Sequence, residues 1–180
     1  QRFGVADYQL TSRWSGAQGD PRALTWSFAP DGISIPGGAG EATSPNILFA
    51  SMDAKFGVRA TWVNQFVSVF ARWQSLSGLT YTRITVGGND WDDGAAWGNN
   101  GAAGIRGDVR ISSHNIDGQF NILAYNQFPS NGDMVMDSSE PWQSGAPSYL
   151  FFRNTIGHEH GHGMGLLHTD PLNNTKLMEA

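Results

Sequence analysis

Apolar and polar side chains alternate along Ala23-Leu24-Thr25-Trp26-Ser27-Phe28. This is the period-two signature of a strand, with Leu24, Trp26 and Phe28 on its core face. Pro30-Asp31-Gly32 ends the strand with turn chemistry, and Pro36-Gly37-Gly38-Ala39-Gly40 reads as a flexible loop. The period then changes. Ser44-Pro45 reads as an N-cap followed by proline at the first helical position, and Gly57 suits the residue after the last turn, so a short helix is predicted over about 45–56. From Thr61 to Gln74, Trp62, Phe66, Phe70 and Trp73 recur at four-, four- and three-residue spacing with Val63 and Val67 beside them. That stripe predicts a longer helix packed on the core.

Leu79 to Val86 alternates again and is rich in β-branched residues, which predicts a second strand. Gly87 to Gly107 is a long loop whose Asp90, Asp92, Asp93, Asn99 and Asn100 are either a solvated surface or oxygen donors for calcium. Further strands are predicted at Asp108–Ser112, near Asn121–Asn126 and at Gly132–Asp137. Between the first two lies a turn-rich loop, Ser113 to Gln119, in which His114 reads as an ordinary loop histidine. Pro147-Ser148 opens a last helix over about Tyr149–Met164. Residues 1–19 form an arm with Tyr8, Leu10 and Trp14 as expected anchors. With no internal repeat and no linker, residues 1–180 are expected to make one domain.

Composition narrows the function. The chain carries a net charge of −5, and its only lysines are Lys55 and Lys176, so it lacks the clustered basic residues of a nucleic-acid footprint. It has no cysteine, which excludes disulfides and thiolate metal sites but leaves the redox compartment open. No apolar run approaches the roughly 20 residues of a membrane span, and residues 1–20 are not expected to act as a signal peptide. Membrane insertion is therefore not expected, and a monomer is.

Chemistry concentrates in His158-Glu159-His160-Gly161-His162-Gly163-Met164-Gly165-Leu166-Leu167-His168, which holds four of the five histidines. On a helix, His158 and His162 project from one face a turn apart, close enough for both to reach a zinc ion at about 2.0–2.1 Å. Glu159 is placed to take a proton from a water rather than to bind the metal. Gly165 can adopt φ > 0, so the helix ends and His168 swings in as a third ligand. Three protein ligands with one open position describe a catalytic zinc site. His160 points about 200° round the helix from His158 and is not expected to be a ligand. The bland alternative is a histidine-rich solvated helix.

With these residues in place, the chain resembles the metzincin zinc endopeptidases, and among them the matrixins. Leu24–Phe28, Phe70-Ala71-Arg72-Trp73, Leu79-Thr80-Tyr81 and Asp108-Val109-Arg110-Ile111 resemble family segments in family order. The resemblance implies an α+β fold: a twisted, mostly parallel five-stranded sheet with an antiparallel edge strand, packed by long helices that include the zinc-binding one. It implies that Leu123, Ala124 and Tyr125 belong to the edge strand that pairs with substrate backbone. Gly132 to Trp142 resembles the family's calcium segment, which assigns Asp137 and Glu140, with Asp117, as calcium ligands. Met178 matches the Met-turn beneath the metal. Tyr125 and Val135 stand where matrixins place histidines for a structural zinc, so a second zinc is not expected. The sequence ends two residues after Met178, so the family's C-terminal helix is expected to be missing from it. The implied activity is hydrolysis of internal peptide bonds in protein or peptide substrates by a secreted enzyme. The alternative is a zinc-containing peptide-binding module without turnover.

Overall fold

The computed structural model describes residues 9–17, 19–169 and 176–179. In chain order the elements are β1 (Gln9–Leu10), β2 (Arg22–Phe28), β3 (Ser34–Ile35), β4 (Ser44–Pro45), α1 (Leu48–Phe56), α2 (Arg59–Leu76), β5 (Leu79–Arg83), β6 (Thr85–Val86), β7 (Asn89–Asp90), β8 (Val109–His114), β9 (Ala124–Asn126), β10 (Met134–Asp137), α3 (Leu150–Gly163) and β11 (Leu166–Leu167). Five strands form one sheet in the order β5-β2-β8-β10-β9. The first four run parallel, and β9 is the antiparallel edge strand. The parallel step from β2 to β5 needs a long crossover, which α1 and α2 supply. This is the expected α+β arrangement, and β8, central in it, is buried along its whole length.

An aromatic core joins the sheet to the helices. Trp26 stacks on Phe70 with ring centroids 4.7 Å apart, Phe28 meets Trp62 and Phe66 edge-on, and Phe66 meets Phe152 of α3. Burying one such side chain stabilises the fold by about 1.5–3 kcal/mol. The cluster thereby sets α3, which carries the histidines, rigidly against α2 and the sheet.

The local expectations meet several corrections. Ser44-Pro45 does not start a helix: it pairs with β3, and α1 begins at Leu48. The first helical amides are capped instead by Asn46 Oδ1 and by the Asp31 carboxylate across the turn. Gly57 does end α1, with φ of 74°. α2 is longer than predicted, and Val67 is exposed while Val69 is buried, because α3 packs on the Val69 side through Gly157. The predicted strand over 79–86 splits at Ile84, whose amide turns to the Trp26 carbonyl; β6 then folds onto β7 around Gly87-Gly88, both at positive φ. The predicted strand near 121–126 keeps only Ala124–Asn126 in the ladder.

The long loop after β7 is tied by arginines. Asp90 pairs with Arg83, Asp93 with Arg106, and Asp92 with the fully buried Arg110. Each of its three aspartates is thus paired with a guanidinium group. His114 is not an ordinary loop histidine. It ends β8, buried, with Nε2 3.0 Å from Glu41. Glu41 accepts further hydrogen bonds from Tyr125 and from the Gly38 and Ala39 amides. Burial pushes its carboxyl up, but His114 and the amides outweigh this and hold it down at about 2. This hub straps the loop at 36–41 over the edge strand. Val135, opposite Tyr125 in register, packs with Ile35 and Ile116. In the N-terminal arm Trp14 is an anchor, Leu10 is exposed, and Tyr8 lies outside the described residues.

Candidate metal centre

α3 presents a different surface on each side. Phe152 and Ile156 enter the aromatic core. His160 is fully buried against Phe70, and the Tyr81 hydroxyl lies 2.7 Å from its Nε2. Burial pulls its pKa down to about 3, so it is a neutral core histidine turned away from the other three. His158 faces the cleft, and the His162 ring packs beside it on the same side of the helix.

α3 ends where Gly165 takes φ of 95°, and the chain reverses to bring His168 back. The Nε2 atoms of His158, His162 and His168 then lie 3.1, 3.2 and 3.2 Å from one another. Ligands at about 2.0–2.1 Å from one tetrahedral ion stand about 3.3–3.4 Å apart, so this triangle fits a single zinc ion. Two of the rings are also oriented from behind. His158 Nδ1 donates to the Leu177 carbonyl and His162 Nδ1 to the Leu166 carbonyl, each at 2.7 Å. A carbonyl only accepts, so the proton sits on Nδ1 and the Nε2 lone pair points inward. Burial lowers the pKa of both rings, which favours the neutral, ligating form. Among the described residues, these histidines are the group of three or more candidate ligand side chains that converges this closely.

Glu159 lies beside them and is only 8% exposed. Burial pushes its carboxyl up to about 8. Met178 packs beneath the helix at Gly161: a β-carbon at that glycine would lie 2.2 Å from the methionine sulfur. A cleft of about 530 Å³ runs past the histidines, lined by Leu123 and Ala124 on one side and by Phe151, Thr155, Glu159 and Leu177 on the other. Ala124 of β9 lines it, and among the described residues no further strand pairs with the outer edge of β9.

Asp137, the last residue of β10, lies near Asp117 on the loop before β9 and Glu140 on the loop after β10. Asp137 accepts from the Asp117 amide and Glu140 from the Phe120 amide, while Glu140 Oε2 is buried without a partner. Their oxygens are less tightly gathered than the histidine nitrogens. Sequence reasoning missed the Leu166 and Leu177 carbonyls, the Glu41 hub and the pairing of β1 with β11. A backbone carbonyl carries no residue-type signal, and the other two depend on contacts across the fold.

A converging three-histidine centre, flanked by a buried glutamate on an open cleft beside a sheet edge, defines a metallopeptidase type of site. The matrixin family model matches residues 49–179, and the chain belongs to that family. It is also 29% identical over 110 residues to a hatching enzyme of Paracentrotus lividus, a match covering 56% of this chain and 16% of that protein. Among the described residues no helix is long and apolar enough to cross a membrane.

Proposed function

We propose that residues 1–180 act as one catalytic unit of a secreted, zinc-dependent endopeptidase that hydrolyses internal peptide bonds of proteins. The observation that carries this reading is the convergence of the three Nε2 atoms beside Glu159 on an open cleft. His158, His162 and His168 would hold the zinc and leave one position open. When bound, zinc supplies Lewis acidity, bringing the pKa of a water from about 15.7 towards 7 and polarising a carbonyl. A substrate segment laid along the free edge of β9 would pair with backbone around Leu123, Ala124 and Tyr125. With the charge of a bound zinc beside it favouring the carboxylate against the upward push of burial, Glu159 would accept the proton of the attacking water and pass it to the leaving amine, a role worth roughly 10²–10⁴-fold. Met178 supports the floor beneath Gly161. Asp117, Asp137 and Glu140 would hold a structural calcium; an oxygen-only donor set and the unpartnered buried oxygen of Glu140 support this.

The test is Glu159→Ala, with zinc content and cleavage of a denatured protein measured together. Zinc should stay stoichiometric while cleavage falls by roughly 10²–10⁴-fold. Undiminished cleavage would sink the assignment. A wild-type chain that holds zinc and peptide but cuts nothing would replace the peptidase with a zinc-containing peptide-binding module.

A further inference from the structure

We infer that the N-terminal arm, residues 9–14, is a positioning element of the metal centre, acting on His168 through the backbone. The inference rests on the zinc reading above. His158 and His162 are each oriented by a carbonyl at Nδ1 and are fixed to a packed helix. His168 has neither support: it lies beyond the helix, is exposed, and its Nδ1 makes no hydrogen bond among the described residues. What holds it is its own chain on either side. On the C-terminal side the Thr169 amide donates to the Met178 carbonyl at 2.8 Å. On the N-terminal side the tie is the arm.

The arm makes that tie in consecutive steps. β1 pairs antiparallel with β11, Gln9 opposite Leu167 and Leu10 opposite Leu166, the two residues directly before His168. The Thr11 amide donates to the Gly165 carbonyl at 2.9 Å, and Trp14 Nε1 to the Gly163 carbonyl at 3.0 Å. The turn from His162 to His168 is thus held from end to end. Two glycines make room for the arm. A β-carbon on Gly165 would lie 1.8 Å from the Ser12 carbonyl oxygen, and one on Gly132 would lie 2.7 Å from the Trp14 ring. Burial does not explain why β1 lies there, because Gln9 and Leu10 are both exposed. Trp14 anchors the arm, and backbone pairing is what residues 9–11 contribute. The Leu166 carbonyl that orients His162 lies in the same turn, but His162 is held independently by the packed helix.

The experiment is a double-mutant cycle read as zinc affinity by chelator competition. Thr11→Pro removes the donor to Gly165. In the otherwise native chain it should weaken zinc binding roughly 10–100-fold, the range for groups that orient metal ligands. In a His168→Ala background it should change zinc affinity by no more than about twofold, because the ligand it positions is gone. An equal loss in both backgrounds would mean that the arm merely stabilises the fold, and no loss in the native background would mean that it does not position His168. Either result overturns the inference. If circular dichroism shows Thr11→Pro unfolded, Trp14→Phe replaces it, keeping a ring in the slot and deleting the bond to Gly163. A wild-type chain without zinc affinity would refute the zinc reading itself, a different outcome from wild-type affinity that Thr11→Pro leaves unchanged.

Discussion

Asp92→Ala removes the counter-charge of a guanidinium that has no exposed side-chain surface. Arg110 Nε and Nη2 donate to the two Asp92 oxygens at 2.9 and 2.7 Å, and Nη1 donates to the Ala96 carbonyl at 3.1 Å. Asp92 also accepts from the Ser27 hydroxyl at 2.7 Å and from the Gly94 amide at 2.9 Å. The substitution therefore strands a buried cation and two further donors together. Removing one partner of a buried ion pair costs about 3–5 kcal/mol, against a typical total stability of about 5–15 kcal/mol. At about 2–4 °C per kcal/mol for a chain of this size, Tm should fall by about 6–20 °C. Thermal unfolding and a urea titration, both followed by circular dichroism, measure it; the urea midpoint should shift with little change in slope. Asp93→Ala is the control: its pair with Arg106 is partly exposed, and its loss should cost about 0–1 kcal/mol. A cost below about 1 kcal/mol for Asp92→Ala would refute the reasoning, since a stranded buried arginine cannot be that cheap. Chelator should leave the difference between the two variants unchanged, because arginines rather than a cation hold this loop.

Asp133 gives a pH prediction. Burial pushes its carboxyl up to about 7 from an ordinary value of 3.8, so between those pH values the unfolded chain binds fewer protons than the native one. Its contribution to stability is full below about pH 4 and is lost as pH rises through about 7; Asp133→Asn should flatten that fall in urea titrations at pH 4.5 and 7.5, and an unchanged fall would contradict the sign. For the calcium proposal, added calcium should raise Tm, by the equivalent of about 2.7 kcal/mol at a hundred times Kd, and Glu140→Gln should abolish the gain. Gly161→Ala should displace Met178, costing about 1–3 kcal/mol and lowering cleavage of a denatured protein; a variant with native Tm and native rate would show that the contact beneath the helix is dispensable.

The metal-ligand pattern was legible because its logic is local. Helical geometry alone sets His158 and His162 on one face and His160 on another, and Gly165 announces the turn that returns His168. The main strands and both long helices were legible for the same reason, since period two and the stripe of Trp62, Phe66 and Phe70 are properties of short windows. Errors gathered where a distant partner decides. Ser44-Pro45 has the chemistry of a helix start but is taken by β3, while Asp31 caps α1 from across a turn. His114 reads as a loop histidine in its own window, but it ends β8 and is buried beside Glu41.

The sequence by itself determined the kind of site: which side chains could bind a metal, which carboxylate stands beside them, and the order of strands and helices that carries them. Tertiary structure alone decided how the site is held. Leu177 and Leu166 orient two histidines with carbonyls that any residue possesses, and Gln9 to Trp14 reach the turn before the third from the opposite end of the chain. Backbone groups are chemically the same at nearly every residue, so their partners are chosen by where the fold brings the chain together.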